Sequence, residues 1–388
     1  MKNILFIHQS ADLYGSDKTL LFLVEAIKDD IKPIVVLPEK GPLTIELEKL
    51  QIEILILPVI KVSRKLFTSL DIIKLPFQII KAQRILKKKL GNRKIDLIHS
   101  NTLAVFLGVF YSKKHNIKHL WHVHEIIKHP KIIAKIYPYL INWFADFVVF
   151  NSKASAAHIY KSIPKLRKKA KVIYNGLDRN TSFIADEKQD RLRKSLFKSI
   201  DKSSKIIGLV GRINNHKGQQ LLLNAFDDLK KEGTKNIYLL FIGSTIKTQQ
   251  FLLDELKTEI SNKNLEDFVT IVDFQKELWQ FYDCIDIVTV PTTDPEPFGL
   301  VAVEGMLSKK PVIAANHGGL KEIVVHDKTG FLFEPNNKLA LKNAIKTLIV
   351  NTNLIDLLGN EGEIRAKFEF SLEKYQKNFK ELYASMLH

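Results

Sequence analysis

The stretch PEPFGLVAVE, residues 295–304, decides the fold. It follows Ile287–Val290, a short run of mostly β-branched residues that predicts a buried strand. Pro297 and Gly299 then interrupt the chain, and Leu300–Leu307 predicts a helix. A strand, a glycine-containing turn and a helix in this order are typical of one βα unit in a parallel α/β sheet.

The same alternation extends in both directions and forms two series. Runs that are apolar on both faces suit strands covered by helices on each side. The sequence therefore predicts an α/β protein with two Rossmann-like, doubly wound domains that face a cleft. The predicted strands are Asn3–His8, Pro33–Leu37, Glu53–Leu57, Asp96–Ser100, Leu120–His124, Asp146–Asn151 and Lys171–Tyr174, then Ile206–Val210, Tyr238–Ile242, Val269–Val272, Ile287–Val290, Val312–Ala314 and Phe331–Phe333.

The domain limits follow from where this pattern stops. The first domain is predicted to occupy residues 1–178 and the second residues 190–370, because residues 179–204 are polar and read as a linker with a short helix. The final segment, residues 371–388, predicts a separate helix with an apolar stripe on one face. The stripe consists of Leu372, Tyr375, Phe379, Leu382 and Met386.

Composition narrows the class of protein. The chain has 388 residues, of which 45% are hydrophobic, so each domain can bury a core. Its one cysteine, Cys284, excludes an intrachain disulfide and a cysteine-based zinc site. The N-terminal apolar run is too short for a signal peptide, and no run approaches the roughly 20 apolar residues of a membrane span. We expect a cytoplasmic protein, free or peripheral on the inner face of the cell membrane.

The net charge of +17 is concentrated in one region. Residues 61–94 contain eleven Lys or Arg and one acidic residue, Asp71, mixed with apolar side chains. This mixture predicts basic amphipathic helices, which lie either in an anionic membrane surface or on the core with a solvated basic face. Nucleic acid is not an expected partner, because no recognition helix, zinc finger or aromatic RNA-binding motif is present.

Three motifs carry candidate chemistry, and each follows a predicted strand of the second domain. Gly299 precedes a helix whose N-terminus suits a phosphate, and Glu304, about 7.5 Å further along that helix, could hold a ribose diol. Residues 211–218, GRINNHKG, place Arg212 and Lys217 where they could bind phosphate oxygens. Gly318-Gly319 allows close approach of backbone to a ligand. Each motif has a structural alternative. The turn at Gly299 could be a plain helix junction, Arg212 and Lys217 could be solvated surface cations, and Gly318-Gly319 could form an ordinary tight turn.

These motifs resemble those of the GT-B glycosyltransferases of family 4. The resemblance covers the whole chain and is most specific between residues 205 and 335. It implies a retaining transferase that takes a sugar from a nucleotide-diphosphate donor. It further implies that Arg212, Lys217 and the amides near Gly299 and Leu300 bind the donor diphosphate. Glu304 would bind ribose, Glu296 and Phe298 would contact the donor sugar, and Glu296 would also take part in catalysis.

The resemblance extends more loosely into the first domain. Gly15 corresponds to the glycine loop that approaches the donor, although Ser16 stands where a second glycine is frequent. His124, at the end of a predicted strand, corresponds to the catalytic histidine near the reacting sugar, and His122 is the alternative. The final helix is expected to cross back onto the first domain.

Neither a metal nor another cofactor is expected, because the sequence contains no Asp-x-Asp triplet. No Gly-x-Gly-x-x-Gly follows a strand, which disfavours a dinucleotide oxidoreductase. The expected partners are a nucleotide-sugar donor, a saccharide or lipid-linked saccharide acceptor in cell-surface glycan synthesis, and an anionic membrane surface. A non-catalytic sugar-nucleotide-binding protein of the same fold is the alternative function.

Overall fold

A computed structural model describes residues 1–60 and 71–387. The chain divides into two compact units: Met1–Gly176 together with the C-terminal segment from Leu372, and Leu177–Ser371. Residues 179–189, which the sequence suggested were a linker, belong to the second unit. Arg179 anchors them there, because its guanidinium forms a buried two-pronged ion pair with Asp283 at 2.7 and 2.8 Å.

The first unit contains a seven-stranded parallel sheet. Its strands are β1 (Asn3–Ile7), β2 (Lys32–Leu37), β3 (Glu53–Ile56), β4 (Leu97–Ser100), β5 (Lys118–Val123), β6 (Phe147–Phe150) and β7 (Ala170–Val172). They lie in the order β3-β2-β1-β4-β5-β6-β7, so the strand order reverses between β1 and β4. All seven predicted strands are confirmed, with ends that differ by no more than two residues.

Helices cover both faces of this sheet. They are α1 (Gly15–Ile27), α2 (Pro42–Lys49), α3 (Asp71–Leu90), α4 (Leu107–His115), α5 (Lys131–Phe144) and α6 (Lys153–Tyr160), followed by a 3₁₀ turn at Pro164–Lys169. Helices α3 to α6 pack into one apolar core, and α1 and α2 pack into the core on the opposite face. Of the basic segment, residues 61–94, the structure describes residues 71–94, which contain one helix, α3. Residues 61–70 lie outside the described residues.

The second unit contains a six-stranded parallel sheet. Its strands are β8 (Lys205–Val210), β9 (Ile237–Ile242), β10 (Val269–Val272), β11 (Ile287–Val290), β12 (Val312–Ala315) and β13 (Gly330–Phe333). The order β10-β9-β8-β11-β12-β13 is that of a Rossmann fold, with its reversal between β8 and β11. Such sheets bind ligands beyond the carboxyl ends of the strands at this reversal.

The remaining helices complete both units. The second sheet is covered by α7 (Asp186–Leu196), α8 (Gln219–Lys231), α9 (Gln250–Asn262), α10 (Trp279–Cys284), α11 (Leu300–Leu307), α12 (Leu320–Ile323), α13 (Lys338–Val350) and α14 (Thr352–Glu369), with a 3₁₀ turn at Lys247–Gln249. The last helix, α15 (Leu372–Leu387), returns to the first unit and packs against α1. Its predicted stripe is buried there, and the Tyr375 hydroxyl donates to the carbonyl of Thr19 at 3.2 Å.

No helix in the described parts of the chain is long and apolar enough to cross a bilayer.

Candidate functional site

Three loops of the second unit meet at the carboxyl ends of neighbouring strands. They follow β8, β11 and β12, which are adjacent in the sheet and include the reversal point. The Thr293 amide donates to the carbonyl of His216 at 2.9 Å, and the Gly319 amide donates to that of Glu296 at 2.7 Å. The three motifs predicted separately from the sequence therefore form one continuous surface.

Glycine makes this contact between the loops possible. Gly218 has a φ of +83°, and a Cβ atom there would lie 1.9 Å from the carbonyl oxygen of Pro291. Gly318 has a φ of +58°, and its Cβ would lie 2.2 Å from the carbonyl oxygen of Glu296. Both distances are far below van der Waals contact, so any side chain at either position would force the loops apart.

Lys217 and Glu296 are brought together by these loops. Lys217 Nζ lies 2.7 Å from Glu296 Oε2, and both side chains are partly accessible to solvent. The loop is held in place because Asn214 Oδ1 accepts hydrogen bonds from the amides of His216 and Lys217 at 2.8 and 3.0 Å. A cation from the loop after β8 and a carboxylate from the loop after β11 thus lie side by side.

Arg212 lies in the same loop, directly after β8. Its carbonyl oxygen accepts a hydrogen bond from Gln219 Nε2 at 2.9 Å, which ties the start of the loop to the first turn of α8. Ile213 donates to the carbonyl of Ser244 at 3.2 Å, in the neighbouring loop after β9. The backbone on both sides of the Arg212 guanidinium is therefore fixed at the edge of the sheet where the motifs meet.

The predicted helix after Gly299 is present as α11, and it begins at Leu300. Gly299 precedes it with a φ of +111°, a conformation that favours glycine. The first amides of a helix have no acceptor within the helix and carry partial positive charge. The turn at Gly299 and Leu300 thus has the geometry of an anion-binding helix N-terminus, in the loop that also carries Glu296.

Glu304 is buried, and its carboxylate is held by a tyrosine that belongs to none of the predicted motifs. The Tyr282 hydroxyl, on α10, donates to Glu304 Oε2 at 2.7 Å. Burial and the neighbouring Glu304 raise the pKa of Tyr282 well above its usual value, so the hydroxyl keeps its proton. Tyr282 therefore acts on Glu304 as a permanent hydrogen-bond donor that fixes the carboxylate.

Phe298, which is predicted to contact the donor sugar, lies on the inner side of its loop. Its side chain is only 2% exposed, and the ring stands edge-on to Phe370 with centroids 5.7 Å apart. This burial favours a structural role for the ring, which anchors the loop from inside, with Glu296 two residues before it on the accessible side.

In the first unit, Gly15 is the exposed first residue of α1, and the loop before it is held by Asp17. Asp17 Oδ1 lies 2.6 Å from His8 Nε2 and accepts from Ser10 Oγ at 2.5 Å, and Oδ2 accepts from the Tyr14 amide at 2.9 Å. Burial alone would raise the pKa of Asp17, but these bonds lower it below its usual value. Sequence inspection missed this network.

His124 directly follows β5 and is 9% exposed. Its Nε2 lies 3.2 Å from Asn101 Oδ1, and burial lowers its pKa to about 3, so the imidazole is neutral near pH 7. The alternative, His122, is completely buried with its ring 5.1 Å from that of Phe379. Among the described residues neither ring nitrogen of His122 has a hydrogen-bond partner. His124 is therefore the more accessible of the two histidines.

Glu125, next to His124, was not selected from the sequence. Its carboxyl group accepts hydrogen bonds from the amides of Leu103 at 3.1 Å and His124 at 3.0 Å. Burial raises the pKa of Glu125 to about 7, although these bonds oppose the shift. Over residues 1–60 and 71–387, no group of three or more His, Cys, Asp or Glu side chains is arranged to hold a metal ion.

Two family profiles match the chain. The profile described as Glycosyltransferase Family 4 matches residues 15–181, and the profile described as Glycosyl transferases group 1 matches residues 190–365. Together they account for most of the chain, and their limits fall close to the division between the two units.

Individual relatives agree with these profiles. Alpha-1,3/1,6-mannosyltransferase ALG2 of Dictyostelium discoideum is 27% identical over 64% of this chain and 64% of its own length. A Campylobacter jejuni enzyme is 22% identical over 77% of this chain and 78% of its own. It is an N-acetylgalactosamine-N,N'-diacetylbacillosaminyl-diphospho-undecaprenol 4-alpha-N-acetylgalactosaminyltransferase.

Among solved structures, HepE from Anabaena in complex with UDP and glucose has a TM-score of 0.85 at 26% identity. The match covers 99% of this chain and all of HepE. A HepE complex with UDP-glucose matches with the same TM-score and identity. The profiles, the named relatives and these structures agree with the motifs after β8, β11 and β12, and this chain belongs to the GT-B glycosyltransferases of family 4.

Proposed function

We propose that the chain transfers a sugar from a nucleotide-diphosphate donor, with retention of the anomeric configuration and without a metal, in cell-surface glycan synthesis. The observation that carries the proposal is the meeting of three strand-end loops around the Lys217–Glu296 pair at 2.7 Å. The HepE complexes, which hold UDP with glucose and UDP-glucose, support a nucleotide-sugar donor.

The donor diphosphate is assigned to Arg212, Lys217 and the first amides of α11 near Gly299 and Leu300. Breaking the glycosidic bond leaves additional negative charge on the diphosphate, and fixed cations and helix dipoles stabilise such charge in the transition state. Glu304, held by the buried Tyr282 hydroxyl, is suited to accept hydrogen bonds from the ribose diol.

Glu296 is assigned to the donor sugar, since its partly accessible carboxylate can accept hydrogen bonds from sugar hydroxyls. In the first unit, Gly15 and His124 are assigned to the donor and to the reacting sugar from the family resemblance. The neutral state of His124 is compatible with hydrogen bonding to a sugar hydroxyl through either donor or acceptor nitrogen.

The acceptor proposed is a lipid-linked or polymeric saccharide. The support is the Campylobacter jejuni relative, whose name specifies a diphospho-undecaprenol acceptor. A lipid-linked acceptor lies in a membrane, and the basic helix α3 could bind an anionic membrane surface.

A thermal-shift screen with UDP-, GDP- and dTDP-sugars tests the donor assignment. A bound donor stabilises the fold by about 2.7 kcal/mol at a hundredfold excess over Kd. The donor that raises the melting temperature is then incubated with the enzyme, and its cleavage is followed by release of the nucleoside diphosphate. The proposal is wrong if no nucleotide sugar raises the melting temperature and none is consumed.

Activity is predicted to survive removal of divalent metals, because Arg212, Lys217 and the N-terminus of α11 supply the positive charge that a metal would otherwise supply. Turnover is measured before and after treatment with EDTA, and again after Mg²⁺ is returned. An enzyme that is inactive in EDTA and recovers with Mg²⁺ would contradict the metal-independent mechanism.

A further inference from the structure

Helix α5 carries its large apolar residues in two rows, one buried and one exposed. The inner row, Ile133, Tyr137 and Ile141, is buried in the core of the first unit. The outer row consists of Ile132, Ile136, Tyr139 and Trp143, which are between 47% and 68% exposed. The protein's own core therefore accounts for only one of the two rows.

The outer row forms one continuous stripe. Its members are separated by four, three and four positions, so they share one face of the helix. They extend over twelve residues, or about 16 Å along the helix axis. Scattered exposed apolar residues are ordinary, but a stripe of four large ones indicates contact with an apolar partner.

The charges around the stripe indicate which partner. Lys128, Lys131 and Lys135 are exposed and lie along the same helix and its approach, and no acidic residue occurs between Glu125 and Asp146. The stripe also ends in Tyr139 and Trp143, whose rings combine an apolar body with a polar group and favour the boundary between acyl chains and headgroups. An apolar stripe flanked by lysines alone is complementary to an anionic lipid surface.

Helix α3 contributes charge on the same side of the sheet. Its inner face, including Ala82, Leu86 and Leu90, packs into the core that also receives the inner row of α5. It exposes Arg84 and the lysines at 87–89, and also Phe77 and Ile80, which are 75% and 46% exposed. The helix layer formed by α3 to α5 thus presents an apolar stripe on α5 and both basic and apolar side chains on α3.

We infer that the outer face of α5 docks onto an anionic lipid bilayer, with Ile132, Ile136, Tyr139 and Trp143 among the acyl chains and the lysines at the headgroups. This inference goes beyond the proposed transfer reaction. It holds or fails whatever sugar is transferred, because vesicles without any saccharide acceptor suffice to test it.

Vesicles of phosphatidylcholine, with and without phosphatidylglycerol, provide the test. The full-length protein is expected to co-sediment with the anionic vesicles only, and the Ile132→Asn/Ile136→Asn variant to bind them at least about tenfold more weakly, because two exposed isoleucines no longer enter the bilayer. The Lys131→Glu/Lys135→Glu variant should weaken binding and reduce its salt dependence.

The fluorescence of Trp143 reports whether the outer face of α5 contacts the bilayer. It is 67% exposed, whereas Trp121 is buried, so its fluorescence should shift to the blue and be quenched by brominated lipid when vesicles are added. Trp143→Phe should keep most of the binding and lose this change. A Trp143 emission that stays the same in vesicle-bound protein would overturn the inference.

Helix α14 offers a matched control. Leu357 and Ile364 are 57% and 62% exposed on one face, but this helix contains four acidic residues against two basic ones. Leu357→Asn/Ile364→Asn should leave vesicle binding unchanged. Equal loss in this variant, equal binding to neutral vesicles, or a protein dimer abolished by Ile132→Asn/Ile136→Asn would each overturn the inference. Unchanged melting temperatures and nucleotide-sugar binding show that a variant is folded.

Discussion

At the scale of single residues, substitutions in the Lys217–Glu296 pair test the proposed mechanism most directly. Lys217→Ala is predicted to reduce kcat by about 10²–10³, because one group that stabilises the leaving diphosphate is lost. Arg212→Ala should act in the same way. Turnover and melting temperature are measured on the same preparations, since the loss should be far larger in turnover than in stability.

Lys338 provides the matched control for Lys217. It also forms a 2.7 Å ion pair, with Asp228, and it lies at the start of α13 in the same unit. Lys338→Ala should keep turnover within about twofold, because surface ion pairs contribute about 0–1 kcal/mol. Full turnover in Lys217→Ala would remove that residue from the diphosphate site.

Tyr282 tests whether Glu304 holds ribose. Tyr282→Phe removes the hydroxyl that donates to Glu304 Oε2, and it should weaken binding of the nucleoside diphosphate by about tenfold or more, because a hydrogen bond to a charged group contributes about 1.5–3 kcal/mol. The preference for the ribonucleotide over its 2′-deoxy counterpart should fall together with affinity. Both dissociation constants are measured by calorimetry.

Tyr375 separates this role from general stability. Its buried hydroxyl donates to Thr19 in the first unit, so Tyr375→Phe should lower the melting temperature and leave nucleotide binding unchanged. If Tyr282→Phe weakens the ribonucleotide and the deoxynucleotide equally, the hydroxyl supports the fold alone and Glu304 does not read the ribose.

The candidate site residues that the sequence indicated are those that lie in local patterns. Arg212, Lys217 and Glu296 could be selected because each follows an apolar run within a few positions, and strand ends are where α/β sheets bind ligands. The residues that hold other groups in place from distant parts of the sequence could not be selected. Tyr282 meets Glu304 across 22 positions and Arg179 meets Asp283 across 104, and no local spacing rule connects residues so far apart.

At the scale of elements, the strands were predictable and the faces of helices were not. Buried parallel strands read as continuous apolar runs, so their positions agree within two residues. Helix α5 carries two rows of apolar side chains, and periodicity alone cannot show which row meets the core. Helix α3 was interpreted from its composition, and the structure shows that Ala82, Leu86 and Leu90 pack inward, while the lysines at 87–89 face outward together with Phe77 and Ile80.

The lysines at the end of α3 make a prediction at this scale. Changing Lys87, Lys88 and Lys89 to Glu should weaken binding to anionic vesicles, because each basic residue near the surface contributes about 1 kcal/mol, and the remaining binding should depend less on salt. Co-sedimentation at low and high salt measures both effects.

The control for this prediction must change the charge equally. Lys198, Lys202 and Lys235 are exposed in the second unit, and changing them to Glu should affect vesicle binding much less. Equal losses in both triple variants would mean that net charge alone governs binding. Equal binding of the unaltered protein to neutral and anionic vesicles would remove α3 from the membrane contact.

At the scale of the whole molecule, both units repeat one strand order, with a reversal between the first and fourth strands of each sheet. The first unit differs in burying several histidines near its reversal point. Burial lowers the pKa of His119 to about 4 and of His124 to about 3, and places the pKa of His99 and His122 well below 6.5. The folded protein thus keeps these imidazoles neutral.

These histidines predict that acid destabilises the fold. Between about pH 6.5 and 4 the unfolded chain binds protons that the folded chain does not, so the free energy of unfolding falls as pH falls. Glu125 changes the free energy of unfolding in the opposite direction, because burial raises its pKa to about 7. It is one group, however, and the buried histidines are four. Each unbalanced proton contributes about 1.4 kcal/mol per pH unit.

Urea unfolding at pH 7.5 and 5.0 measures the difference in the free energy of unfolding. His122→Leu should reduce the difference between the two pH values, because one of the four buried histidines is removed. The variant should still fold, since the ring nitrogens of His122 have no hydrogen-bond partner in the described structure to lose. Equal free energies at the two pH values would contradict the prediction.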